Sequence, residues 1–317
     1  MPSRPGPTTT DAAQDPRSDG DWMRLLVTGG TGLLGGALLT LLLAKGHEAR
    51  CLVRDRSPNA SRLETRRVEV VRGDAGSLWD LSRALSGMEA MVHVAGIEYA
   101  PQVVEAARAA RVPRLVMVGS TSAHSAHEFR SGPKLRMEDL VRKSGLEYTL
   151  VRPTMIYGSE LDKNVHRLLR FLDRSPVFPI FGPGTNLWQP VYHEDCARGV
   201  YEALVRPAAV GRAYDLPGAA PFPYATLVET AARALGREPR LVRLPLEPIR
   251  GALILAETLR IPLPIKSEQV LRLREDKAYP FDAARRDLDY TPRPFHEGVA
   301  LEVARLREVG LVKPKFL

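Results

Sequence analysis

The sequence is poor in cysteine. Its two, Cys51 and Cys196, lie 145 positions apart, so they can build neither a Cys-x-x-Cys metal knuckle nor a disulfide framework. Cys51 falls in an apolar, strand-like run and Cys196 beside a helical pattern, which marks both as buried, reduced thiols and implies a cytoplasmic setting. Aromatic residues are scarce as well, at 6% against 44% hydrophobic residues overall, so aliphatic side chains must carry the core. No apolar run reaches the roughly 20 residues that span a bilayer. The longest, Leu33 to Ala44, covers 12 residues and includes Gly35, Gly36 and Thr40, so no transmembrane segment is expected. Residues 1–22 contain no apolar stretch of the kind a secretory signal uses, and read as a disordered tail.

Basic residues exceed acidic ones, for a net charge of +8. They are spread through helices and loops, without a basic run interleaved with aromatics, which argues against nucleic acid and for an anionic ligand. Glu202, Asp215 and Asp289 have no metal-ligand spacing, so no metal is expected.

From Met23 onward, short β-type runs alternate with helical ones. Strands are predicted at residues 25–27, 49–53, 68–71, 90–94, 115–118 and 147–151. Helices are predicted at 33–45, closed by Gly46, at 77–86, from Pro101, and at 133–144. Such alternation implies a Rossmann-type α/β fold, a doubly wound parallel sheet covered on both faces. The second half is richer in proline, with helical patterns at 195–205, 225–235, 246–259 and 295–309. Strand-like pieces at 191–192 and 212–216 are expected to extend the main sheet. The reading is a sheet-forming domain over 23–160 and a smaller, mostly helical C-terminal domain over 161–317, with 190–216 returning to the sheet. The 246–259 pattern is too short and too interrupted by polar residues for a membrane-surface helix, and reads as buried.

The strongest local signal is Leu25-Leu26-Val27-Thr28-Gly29-Gly30-Thr31-Gly32-Leu33-Leu34-Gly35. It joins an apolar strand to a helix, the context in which glycines let backbone amides approach a pyrophosphate at the helix N-terminus. The spacing Thr28-Gly29-x-x-Gly32-x-x-Gly35 resembles that of extended and atypical short-chain dehydrogenase/reductases. Further segments are similar in order: Arg72-Gly73-Asp74 followed by Ala75, His93-Val94-Ala95-Gly96, Arg152-Pro153-Thr154-Met155-Ile156-Tyr157-Gly158, and Gln189-Pro190-Val191-Tyr192-His193-Glu194-Asp195. The resemblance runs from about Met23 to Tyr290. It covers NAD-dependent epimerases and dehydratases, NmrA-like redox sensors and the Rossmann-type accessory subunit of respiratory complex I.

The resemblance implies that Thr28, Gly29, Gly32, Leu33, Leu34, Gly35, Asp74, Ala75, Val94, Ala95, Gly96, Lys134, Pro153 and Ile156 hold a nicotinamide dinucleotide. Strand two ends Leu52-Val53-Arg54-Asp55-Arg56, and an arginine there suits a 2′-phosphate, so Arg54 is expected to favour NADP over NAD. His93, on a strand, reads as a core histidine.

The family's proton carrier is a tyrosine four residues before a lysine on one helix. None of the nine tyrosines here has Lys at that spacing. Alignment places the family lysine at Lys134 and the tyrosine position at Arg130, which cannot shuttle a proton. Thr121 matches the hydroxyl that holds the substrate oxygen, and Tyr157, Tyr192, His124, His127 and Glu128 are the alternative proton carriers. Two functions are implied. One is an NAD(P)-dependent oxidoreductase, epimerase or dehydratase acting on a small molecule bearing a carbonyl or a sugar. The other is a non-catalytic NADP(H)-binding sensor or accessory protein with a protein partner. A homodimer is compatible with either.

Overall fold

A computed structural model describes residues 22–63, 66–259 and 275–313. The tail expected over residues 1–22 lies outside them except for Trp22. The first half runs β1 (Arg24–Thr28), α1 (Leu33–Ala44), β2 (Glu48–Val53), β3 (Glu69–Arg72), α2 (Leu78–Leu85), β4 (Ala90–His93), α3 (Ala100–Ala109), β5 (Arg114–Val118), α4 (Glu128–Arg142) and β6 (Glu147–Pro153). Then follow β7 (Ile156–Tyr157), α5 (Val165–Arg174), β8 (Val177–Phe181), β9 (Leu187–Trp188), β10 (Val191–Tyr192), α6 (His193–Val205), β11 (Arg212–Leu216), β12 (Phe222–Pro223), α7 (Tyr224–Leu235), β13 (Arg240–Leu244), α8 (Leu246–Thr258), α9 (Asp282–Leu288) and α10 (Phe295–Glu308).

Seven parallel strands form the central sheet in the order β3-β2-β1-β4-β5-β6-β11. Alternate side chains feed opposite cores, as the twofold period of a strand requires. Leu25, Val27, Val92, Val116 and Val118 face a layer built from α1, α6 and α9. Leu26, Met91, Leu115 and Met117 face α2, α3 and α4. Helix α1 is apolar nearly all round because it packs between the sheet and α6, leaving Thr40 and Ala44 exposed. A third core gathers α5, α7 and α10 with Tyr157, Phe178, Ile180 and Tyr192.

The strand at 212–216 pairs with β6 from Arg212↔Thr149 to Leu216↔Pro153 and occupies the sheet edge. Val191–Tyr192 therefore does not extend the main sheet as expected, and pairs instead with Ile156–Tyr157. Helix α4 also departs from expectation. It begins at Glu128, not at Pro133, and carries that proline inside it. Proline reads as a helix start because it lacks an N–H, but in an interior turn it removes one i→i−4 bond, a loss that packing against α3 and the sheet outweighs. In α8, Leu253 and Ala256 are buried while Ile254 is exposed.

Helix α4 is fixed to the sheet by one ion pair. Arg152 on β6 donates Nε to Glu138 Oε1 at 2.6 Å and Nη2 to Oε2 at 2.5 Å, and Glu138 is fully buried. Removing one member of such a pair costs up to about 3–5 kcal/mol, less here because Arg152 Nη1 also lies 3.5 Å from Asp215 Oδ1. Glu138→Ala should lower the unfolding free energy in urea by up to that amount. Arg142→Ala removes a guanidinium that is 38% exposed and should cost less than about 1 kcal/mol.

Candidate functional site

Strand β1 ends at Thr28 and α1 begins at Leu33, so residues 29–32 must turn the chain tightly. Gly29 has φ +72°, a conformation that disfavours any side chain. A Cβ on Gly35 would sit 2.2 Å from the Gly29 carbonyl oxygen, so only glycine lets α1 approach the strand end this closely. The first turn of α1 has neither a side-chain cap nor an acidic residue, and its amides and positive dipole end are free to meet an anion. At Gly32 a Cβ would meet only the Gly29 carbonyl oxygen, at 3.3 Å, and otherwise open space.

The adjacent strand end is held by a hydrogen-bond chain. His93 Nε2 lies 2.8 Å from the Gly96 carbonyl and Nδ1 lies 2.9 Å from Thr28 Oγ1. The Thr28 hydroxyl also accepts the Val94 N–H at 3.2 Å. A neutral ring donating from Nε2 satisfies all of these contacts. Burial pushes the imidazole down from 6.5 to about 4, which keeps it neutral.

These elements border a groove of about 690 Å³ across the carboxyl ends of the strands, at the point where the strand order reverses. The structure brings together in it every dinucleotide residue expected from the sequence. Arg54, Asp74 and Ala75 line the β2–β3 end, and Thr28, Gly29, Gly32, Leu33, Leu34 and Gly35 the centre. Val94, Ala95 and Gly96 lie beside these, and Lys134, Pro153 and Ile156 line the β5–β6 end. Ser57, Glu98, Tyr99 and Lys163 also line the groove. They lie outside the glycine motif and carry no pattern that would have singled them out.

At Ser120 the groove meets a second cavity of about 390 Å³. Thr121 and Arg130 line it, together with Trp188, Glu275, Lys277 and Tyr279 from the second half. Arg130 Nη1 donates to Glu275 Oε2 at 2.7 Å, and Ser125 Oγ donates to Glu275 Oε1 at 2.6 Å. Desolvation would raise the Glu275 carboxyl, but the bonds from Ser125 and the Ala126 amide and the Arg130 charge hold it below its ordinary value. Arg130 and Lys134, one turn apart on α4, thus point to the cavity and the groove respectively. Thr121 Oγ1 donates to the Pro153 carbonyl at 3.4 Å.

The alternative proton carriers fall elsewhere. Tyr157 is fully buried in the third core, its ring against Tyr192 and Phe295 and its hydroxyl on the Phe295 carbonyl. That burial removes it from the site and pushes its phenol well up. Tyr192 is buried in the same cluster. His127 stacks on Phe129, and the Glu128 carboxylate lies over Gly132. His124 Nε2 lies 2.9 Å from Asp215 Oδ1, outside the cavity wall.

A Rossmann sheet with an uncapped glycine turn under a long groove, and a second cavity at one end, defines a dinucleotide-binding protein. A family model described as NAD(P)H-binding matches residues 29–170. The ceramide reductase of Caulobacter vibrioides is 31% identical over 236 residues, covering 69% of this chain and 73% of its own. A 4-hydroxy-2-methyl-3-oxo-4-farnesyl-3,4-dihydroquinoline-1-oxide ketoreductase of Stigmatella aurantiaca is 25% identical over 316 residues, covering 87% and 94%. Among solved structures, a UDP-glucuronic acid 4-epimerase from Bacillus cereus in complex with NAD superposes with a TM-score of 0.71 at 18% identity, over 90% of this chain and 99% of that one. The chain belongs to the NAD(P)H-binding extended and atypical short-chain dehydrogenase/reductases.

Because His93 is neutral in the fold while an unfolded histidine gains a proton below about pH 6.5, acid favours the unfolded chain. Stability should fall as pH drops from 6.5 toward 4, by up to about 1.4 kcal/mol per pH unit for this group. Urea titrations at pH 7, 6 and 5 measure the slope, which should flatten in His93→Gln.

Proposed function

We propose that the protein is an NADP(H)-dependent oxidoreductase that reduces an aldehyde or ketone carbonyl of a small molecule. The observation that carries this reading is a cavity lined by hydroxyl and charged groups that shares Ser120 with the dinucleotide groove. The two reductase relatives support reduction over epimerisation or dehydration. The epimerase neighbour, at 18% identity, speaks to the fold alone. The buried free thiols of Cys51 and Cys196 suit a cytoplasmic setting.

The donor set fits the cofactor. The first turn of α1 meets the pyrophosphate, Asp74 faces the adenine end, and Arg54 takes the 2′-phosphate. Lys134, which lines the β5–β6 end of the groove, would hold the nicotinamide ribose. When bound, the reduced dinucleotide supplies a hydride. Thr121 then holds the substrate oxygen, and Trp188 shields one wall of the cavity from water. A sensor or accessory role would use the groove without the cavity, and absence of turnover would distinguish it.

NADPH should therefore bind more tightly than NADH. A charge-assisted hydrogen bond from Arg54 is worth about 1.5–3 kcal/mol, or about tenfold or more. In titrations followed by cofactor fluorescence, Arg54→Ala should lose the preference while NADH binding stays nearly constant. Equal affinities in the unaltered protein would contradict the assignment.

A further inference from the structure

Reducing a carbonyl requires a proton at its oxygen, from a group within reach of the reacting centre. The cavity beside Ser120 offers few such groups. Arg130 is engaged in its ion pair with Glu275. Glu275 is an ion-paired carboxylate with no proton to give. The hydroxyls of Ser120, Thr121 and Ser122 are too weakly acidic to act alone. Lys277 places its ammonium 3.8 Å from the centre of the Trp188 ring.

Tyr279 remains. It lines the cavity together with Thr121. Its position is fixed from two sides. The Tyr279 N–H donates to Gln189 Oε1 at 2.8 Å, and the buried Gln189 is itself anchored by its Nε2 on the Gly218 carbonyl at 2.9 Å. The ring lies 5.6 Å from that of His124, which Asp215 holds. The ion pair of Arg130 with Glu275, four residues earlier in the chain, ties the same segment to α4.

We propose that Tyr279 is the catalytic proton donor, delivering its phenolic proton to the substrate oxygen held by Thr121. The role rests on the carbonyl-reductase reading. The carbonyl carbon gains a hydride from the reduced nicotinamide dinucleotide, and the C=O π pair moves onto oxygen. That oxygen takes the Tyr279 proton, leaving an alcohol, an oxidised dinucleotide and a phenolate that recovers its proton from water. Burial raises the phenol above its ordinary value, so the group starts protonated at neutral pH. Arg130, though it stands at the family's tyrosine position, acts in this arrangement by holding the segment that carries the donor.

The test uses the full-length protein with NADPH and two carbonyl probes, 4-nitrobenzaldehyde and 9,10-phenanthrenequinone. Tyr279→Phe should lower kcat by about 10²–10⁴-fold, with KM changing much less. Its NADPH dissociation constant, read by fluorescence without turnover, should equal that of the wild type and so report an intact groove. A kcat for Tyr279→Phe within about threefold of wild type overturns the role of Tyr279 while leaving the reductase reading standing. A wild type that binds NADPH but reduces neither probe overturns the reductase reading, and the proton-donor role with it.

Discussion

Helix α1 can reach the end of β1 only because Gly35 has no side chain to strike the Gly29 carbonyl. That contact puts an uncapped helix terminus under the groove and sets its width. The rest of the sheet is arranged to keep the contact. Thr28, His93 and Gly96 are locked together by hydrogen bonds behind the turn. Helix α6, from the second half, covers the outer face of α1. The groove is thus made by the first half and held shut at the back by the second.

The opposite end of the groove depends on charge. Glu138 and Arg152 join α4 to β6, and Arg152 Nη1 also lies 3.5 Å from Asp215 on β11. Asp215 in turn holds His124. One connected set of ionic contacts therefore spans the sheet edge beneath the cavity. Position 130 carries a guanidinium, which sets what the helix can do there. A tyrosine would offer a proton, whereas Arg130 offers a permanent charge that captures Glu275 and draws the segment from 275 to 279 across the cavity.

The first half was legible because its signals are local. A glycine turn between an apolar strand and a helix has one geometric reason to exist, and short apolar runs separated by helices leave few topologies besides a parallel sheet. The start of α4 was misread because Pro133 is a good first-turn residue in isolation, and only packing shows it to be interior. Tyr157 sits in a recognisable motif, yet its side-chain direction is set by the third core, where Phe295 and Val299 lie more than a hundred positions away. Val191–Tyr192 was assigned to the wrong sheet because two residues carry no register information. Glu275, Lys277 and Tyr279 had no motif, periodicity or spacing to mark them. Their place at the cavity follows from the return of the chain, which a single sequence does not encode locally.

The central claim is that one dinucleotide lies along the groove with its reactive end at Ser120. A crystal structure of the protein with NADP tests it most directly. The account predicts the pyrophosphate on the first-turn amides of α1, the 2′-phosphate at Arg54, and the nicotinamide beside Lys134, facing the cavity that holds Thr121 and Tyr279. A dinucleotide bound outside this groove, or bound in it with the nicotinamide turned away from Ser120, would contradict the account.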